Sequence, residues 1–443
     1  MLLSLLLSLS ALVPAAFGLN GQERAHLHSR RAVKAGIPGG HWVDTWVSMP
    51  QLTEPGNLAP APFNRFVNST IRQTLHLSIG GSQLRVRISN AFGTVPLPIS
   101  AVTIALPANN TSGISAIKPE TLKTVTFSGQ SSFVLPNAAL LVSDPIDFTV
   151  KPQTIISVSI YLAVGQASDY ITSHPGSRTT SFWANGDSTS AEDLLITDAA
   201  TQSAAHWYFL SAVEVWAPIT SRGLAVVGDS ITDGRGSDPN ANNRWPDLLL
   251  ARMQKNALTS SISVLNQAAG GNRILADGLG PNALSRIERD VLSHSGVRYA
   301  MIFEGVNDLG TANPTSAEQA AVVSQLKGAF TQIAVRVRTF GIPLFGATIT
   351  PFGSPNSTLQ PYSHPVREQA RLDLNNWIRT SGVFDAVIDF DAMVRDPANA
   401  TQLNPLYDSG DQLHLNPAGY QAMADGFPLA VFTEYAFGVT GFD

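Results

Sequence analysis

In the stretch LAVVGDSITDG, Leu224 to Gly234, a serine stands between an aspartate and a turn. Leu224 to Gly228 are apolar without alternation, the pattern of a buried parallel strand, and Asp229, Ser230, Thr232 and Asp233 end it. Ligands of open α/β sheets bind at the carboxyl ends of the strands. Ser230 is therefore badly placed for packing and well placed for nucleophilic attack. The chain has no cysteine, which excludes disulfides, thiolate nucleophiles and Cys-based zinc sites. A second Gly-Asp-Ser, at Gly186-Asp187-Ser188, follows a mixed aromatic and polar stretch and reads as a turn. A tripeptide is not enough, and Ser230 needs partners from elsewhere.

Other strand ends supply polar groups. The strand ISVLNQA runs into NQAAGGNRI, with Asn266, Gly270, Gly271 and Asn272. The strand YAMIFEGVN ends at Gly305, Asn307 and Asp308. In DQLHLNPAGY, Asp411 precedes His414 by three residues, a spacing that lets both side chains share one face of a single turn. Singly, each has a structural reading. Ser230 and Asn307 suit helix caps, and His414 suits the surface beside a capping Asp411. Their convergence at one end of one sheet is what argues for a site. His76, His174, His206, His294 and His364 read as structural or surface residues, and Glu304 as a strand-end packing or hydrogen-bonding group. No His/carboxylate cluster has metal-ligand spacing, so neither metal nor cofactor is expected.

Two grammars lie along the chain. From about His41 to Ile219, short strands such as TIRQTLHLSI and LRVRISNAF alternate apolar and polar residues, as half-buried antiparallel strands do. ISAVTIAL, TLKTVTFSG, SFVLP and TIISVSIYLA continue the pattern, which predicts an all-β, jelly-roll-like sandwich over 40–219. After Ser221, the strands LAVVGDS, ISVLNQA, YAMIFEGVN, PLFGATIT and FDAVIDF alternate with helices near Arg244–Asn256, Pro281–His294, Ser316–Thr339, His364–Thr380 and Pro417–Ala436. That alternation predicts a three-layer α/β/α domain with a parallel sheet over 220–443.

The four blocks around Ser230, Gly271, Asn307 and His414, in this order, resemble the SGNH (GDSL-type) hydrolase family over roughly Gly223 to Tyr435. WVDTWVSMPQ, RVRISNAFG and TSHPGSRTTSFWANGD resemble, more loosely, the β-domain of a two-domain subgroup that includes arylesterases and acetylxylan-esterase-like proteins. The resemblance implies Ser230 as nucleophile, with Asp411 and His414 completing a triad. It assigns the oxyanion-hole donors to the backbone N–H groups of Ser230 and Gly271 and the amide of Asn307, with Gly270 as the one-residue alternative. The chemistry is coherent, since a serine hydroxyl attacks only when an imidazole can take its proton. The chain lacks a G-x-S-x-G elbow, which argues against an ordinary α/β-hydrolase.

The remaining features concern location and partners. Residues 1–18, MLLSLLLSLSALVPAAFG, read as a secretory signal peptide, with Ala16 and Gly18 at −3 and −1 of a cut before Leu19. Residues 19–39 form a linker or propeptide, Arg30-Arg31 being either a dibasic processing site or part of a solvated linker. Five sequons, at Asn68, Asn109, Asn110, Asn356 and Asn399, fit a secreted glycoprotein. Lys+Arg 28 against Asp+Glu 33, with no long basic run, speaks against nucleic acid. No later segment has membrane-spanning length, so no stable membrane association is expected. The expected activity is secreted ester hydrolysis through an acyl-enzyme. The polar loops GRGSDPNANNRWPD and PFGSPNSTLQPY favour short acyl esters of carbohydrate or similar polar alcohols. Alternatives are a lipase or arylesterase, or a non-catalytic protein binding carbohydrate through Tyr161, Tyr170, Trp183 and Trp207.

Overall fold

The computed structural model describes residues 39–440 except 198 and 199. The expected signal peptide, the cut before Leu19 and the Arg30-Arg31 pair lie outside the described residues.

In the second half, five parallel strands, β1 (Arg222–Gly228), β2 (Ile262–Ala268), β3 (Val297–Phe303), β4 (Leu344–Ala347) and β5 (Ala386–Ile388), form one sheet in the order β2-β1-β3-β4-β5. Most of their residues are buried on both faces, as apolar runs without alternation require. The helices are α1 (Ser230–Asp233), α2 (Trp245–Met253), α3 (Ala283–Ile287), α4 (Val306–Thr311), α5 (Ser316–Arg338), α6 (Pro365–Thr380), α7 (Phe390–Val394), α8 (Pro417–Gly426) and α9 (Val431–Glu434). In α5, Val323, Leu326, Phe330, Ile333 and Val337 recur at helical spacing and are buried, and the Thr315 hydroxyl caps the first turn by accepting from Glu318 N–H.

Two helices differ from the sequence reading. The one expected over Pro417–Ala436 stops at Gly426 and resumes at Val431, because Pro428 cannot donate and its ring clashes with the preceding turn. The one expected over Pro281–His294 is α3 followed by a wider, π-helical turn at Glu288–Leu292.

The sheet order fixes where a site can form. From β1 the chain first crosses to β2 on one side and then to β3 on the other, leaving a crevice at the carboxyl ends of β1 and β3. Ser230 follows the first of these strands and Asn307 the second.

The first half is antiparallel, with four-stranded, six-stranded, three-stranded and two-stranded sheets. Ile155–Leu162 pairs with Ser69–His76 on one side and Ala101–Ala105 on the other, while Gly40–Val47 pairs with Leu210–Pro218. Val43, Ile71, Leu75, Val86, Ile88, Ile156 and Val158, from several of these strands, share one core. The antiparallel strands end at Pro218, and β1 starts at Arg222.

The two halves meet along the outer edge of the parallel sheet. Ser78 Oγ donates to the Val264 carbonyl at 3.0 Å and accepts from Val264 N–H at 3.2 Å. It thereby satisfies part of an edge strand that would otherwise offer free backbone groups. Asp44 Oδ2 accepts from Ser295 N–H at 2.7 Å and lies 2.8 Å from His294 Nδ1.

Candidate active site

Ser230 opens a single helical turn. Asp229, not Ser230, caps it, accepting from Ile231 N–H at 2.9 Å, and Gly234 closes it at φ +93°. A glycine is required at 228, where a Cβ would stand 2.5 Å from Thr232 Oγ1. The turn packs directly against the strand that carries it, which fixes the direction of Ser230.

The Ser230 hydroxyl lies 2.7 Å from His414 Nε2, and His414 Nδ1 lies 2.6 Å from Asp411 Oδ2. A carboxylate only accepts, so Nδ1 carries the proton and Nε2 is left to accept from the serine. Asp411 Oδ1 also accepts from the backbone N–H groups of Leu413 (3.1 Å) and His414 (2.8 Å), so the acid shapes the loop that carries the base. Burial pushes the Asp411 carboxyl up, but hydrogen bonds from the His414 ring and the two N–H groups prevail and hold it well below the usual range. Ser230 and His414 are 6% and 4% exposed.

Gly270 and Gly271 separate clearly. Gly270 N–H donates to Asp233 Oδ2 at 3.1 Å, whereas Gly271 N–H has no partner among the described residues. Gly271 sits at φ +70°, where a Cβ would press within 2.7 Å of Leu279. Asn272 follows, its Oδ1 gripped by the buried Arg286 through Nε (3.2 Å) and Nη2 (2.7 Å). The Asn272 carbonyl in turn accepts from Asn307 Nδ2 at 2.9 Å, while Tyr362 donates to Asn307 Oδ1 at 3.1 Å. Asn307 is the second residue of α4 and Gly305 is its cap, with no side-chain cap bond. The capping reading of Asn307 therefore does not hold. Its amide is oriented from both ends, with a second Nδ2 proton in reserve.

Behind this arrangement lie three buried acids. Burial pushes Asp229 up to about 7, against the Ile231 hydrogen bond and with the charges of Asp308 and Asp233. Burial pushes Glu304 well above its ordinary value, and neither of its oxygens has a hydrogen-bond partner. Its nearest cation is Arg286 at 3.5 Å. Asp308 accepts from Ile274 and Leu275 N–H, both at 3.0 Å, and burial raises it too. The serine at 188 has no such company: its carbonyl accepts from Arg72, and its N–H donates to Thr70. Among the described residues no group of three His, Asp or Glu is arranged to hold a metal ion.

Some residues of this network escaped the sequence reading. The sequence gives Asp233 only as part of the turn and His174 only as a structural residue, and it carries no signal for Arg286. His364 caps α6 by accepting from Val366 N–H, and His206 bonds the Pro175 carbonyl at 2.7 Å.

Residues 224–427 match the family model for GDSL-like lipases and acylhydrolases. No curated protein sequence matches the chain. Among solved structures, a carbohydrate acetylesterase family member from Sinorhizobium meliloti is 17% identical, with a TM-score of 0.37 over 48% of this chain and 99% of its own. A GDSL-like lipase from Bacteroides thetaiotaomicron is 18% identical, with a TM-score of 0.35 over 49% of this chain and 89% of its own. Likeness at that level says nothing about substrate. The match over residues 224–427 is to a GDSL-like lipase/acylhydrolase domain, and it supports the enzyme class: the chain is a carboxylic-ester hydrolase.

Proposed function

We propose that this chain is a secreted serine esterase, its jelly-roll-like β-sandwich preceding the hydrolase domain, that releases short acyl groups such as acetate from carbohydrate or similar polar alcohols. The observation that carries the mechanism is the unbroken chain Ser230 Oγ, His414 Nε2, His414 Nδ1, Asp411 Oδ2, at 2.7 and 2.6 Å. Ser230 Oγ attacks the ester carbonyl carbon while His414 Nε2 takes its proton, and Asp411 stabilises the imidazolium. The oxyanion is met by the N–H groups of Ser230 and Gly271 and the Asn307 amide. Collapse breaks the bond to the alcohol, which leaves with the proton from His414. Water, deprotonated by His414, then attacks the acyl carbon, and the acid leaves as Ser230 Oγ takes that proton back from His414.

The polar surroundings support the substrate class. Gln360 Nε2 donates to the Asp411 carbonyl at 3.1 Å, and Tyr362 donates to Asn307. The loop Phe352–Tyr362 thus reaches both the triad and the oxyanion side, and it exposes Asn356, Ser357 and Thr358. Arg235, largely exposed, stands 4.0 Å from Asp411 Oδ2. Secretion is supported by the leader reading and by the exposure of all five sequon asparagines. The non-catalytic binding reading is the weaker one, because Trp183 and Trp207 are buried in the core and only Tyr161 and Tyr170 of its four aromatics reach the surface. A chain-length series of p-nitrophenyl esters, with Ser230→Ala as control, tests the reading, followed by acetate release from acetylxylan. Highest kcat/KM on long acyl chains, or no acetate release, would replace it with the lipase or arylesterase reading.

A further inference from the structure

We propose that the β-half is part of the catalytic apparatus: His174 is a positioning residue that, through Asp233, sets the loop presenting the Gly271 oxyanion donor. This rests on the serine-esterase reading above and assigns the first half a task within it.

His174 lies on the strand Thr172–His174, paired on both sides, with His174 opposite Trp207 and Thr172 opposite Leu52. Its ring stacks on Trp207 at 5.8 Å and is 3% exposed. Nδ1 stands 3.1 Å from the Met49 carbonyl, and Nε2 stands 2.9 Å from Asp233 Oδ1. Both of these oxygens are acceptors, so the ring is held between the Met49 carbonyl and the Asp233 carboxylate. A side chain clamped at both ends on a paired strand has one position, and it imposes that position on the carboxylate.

Asp233 passes the constraint on. It is the last residue of the turn that Ser230 opens. Its Oδ1 meets His174 while its Oδ2 accepts from Gly270 N–H at 3.1 Å, the residue before the oxyanion donor. The carboxylate also packs directly against the β-half: a Cβ on Gly176, two residues after His174, would collide with Asp233 Oδ2. One carboxylate therefore ties together the nucleophile turn, the oxyanion loop and the β-half. Arg286 holds the same loop from the other end, through Asn272. With Gly270 held from one side and Asn272 from the other, Gly271 N–H keeps a fixed direction. An oxyanion donor works only when it is already in place as charge develops.

The test is steady-state hydrolysis of p-nitrophenyl acetate by full-length His174→Ala, His174→Gln and Ser230→Ala, with inhibition by phenylboronic acid, whose Ser230 adduct places an oxygen in the oxyanion position. A misplaced donor costs about 10²-fold in rate. For His174→Ala, kcat and boronate affinity are both expected to fall by about that factor while KM barely moves. His174→Gln, whose amide still reaches Asp233, is expected to recover much of the loss. A merely structural histidine predicts a lower melting temperature with kcat and boronate affinity unchanged per folded molecule, and that result overturns the proposal. Should His174→Ala fail to fold, Asp233→Ala, which leaves the β-half intact, is measured in its place and must show the same paired loss. If Ser230→Ala is itself active, the serine-esterase reading fails first. If Ser230→Ala is dead and His174→Ala has normal kcat, only this inference falls.

Discussion

Replacing Asn307 separates transition-state stabilisation from a structural role. In the folded protein its Nδ2 donates one proton to the Asn272 carbonyl at 2.9 Å and its Oδ1 accepts from Tyr362. The second Nδ2 proton is the one available to an oxyanion. Loss of one preorganised donor costs about 3–4 kcal/mol, or roughly 10²–10³ in kcat. Asn307→Ala should show that loss with KM nearly constant, because the interaction belongs to the transition state. It also leaves the buried Asn272 carbonyl without its donor, at a cost of about 1–3 kcal/mol in stability. Asn307→Asp should be at least as damaging, since a carboxylate oxygen would then face the Asn272 carbonyl and repel the developing oxyanion. The assay is kcat and KM on p-nitrophenyl acetate alongside thermal unfolding of both variants. A folded Asn307→Asp enzyme with near-normal kcat would refute the reasoning and remove Asn307 from the site.

Ser230→Ala and His414→Ala should each abolish turnover in a folded protein, whereas Ser188→Ala should leave it near normal, and an equal loss at 188 would reverse the choice between the two Gly-Asp-Ser copies. Asp229 is raised from its ordinary 3.8 to about 7, so between those values the folded state holds a proton that the unfolded chain has lost, and stability should fall as pH rises through that window. In thermal melts, Asp229→Asn, which keeps the cap, should flatten part of that slope, Glu304 and Asp308, both also raised by burial, keeping the remainder; an unchanged slope would count against it. Exhaustive dialysis against EDTA should leave esterase activity intact, and a loss restored by zinc or calcium would speak against a metal-free mechanism.

Much of the site was legible because its signals are local. An apolar run ending in Gly228-Asp229-Ser230 marks a strand with a polar tip, since both properties follow from consecutive side chains. Asp411 and His414 meet because they stand three positions apart in one loop. The break at Pro428 was local as well, but apolar residues beyond it masked the interruption. Other features had no local trace. Gly270 and Gly271 look alike in sequence, and only the 3.1 Å bond from Gly270 to Asp233 shows which N–H remains open. Arg286 lies 14 residues from Asn272, and His174 lies 59 residues from Asp233 in the other half of the chain. The sequence by itself determined which side chains end the strands, because periodicity and chain-neighbour spacing are properties of the string. Only the tertiary structure decided which of those groups touch. Contacts between distant segments depend on sheet order, strand register and the seating of one half against the other, which are set by burial of the whole core rather than by any stretch of residues.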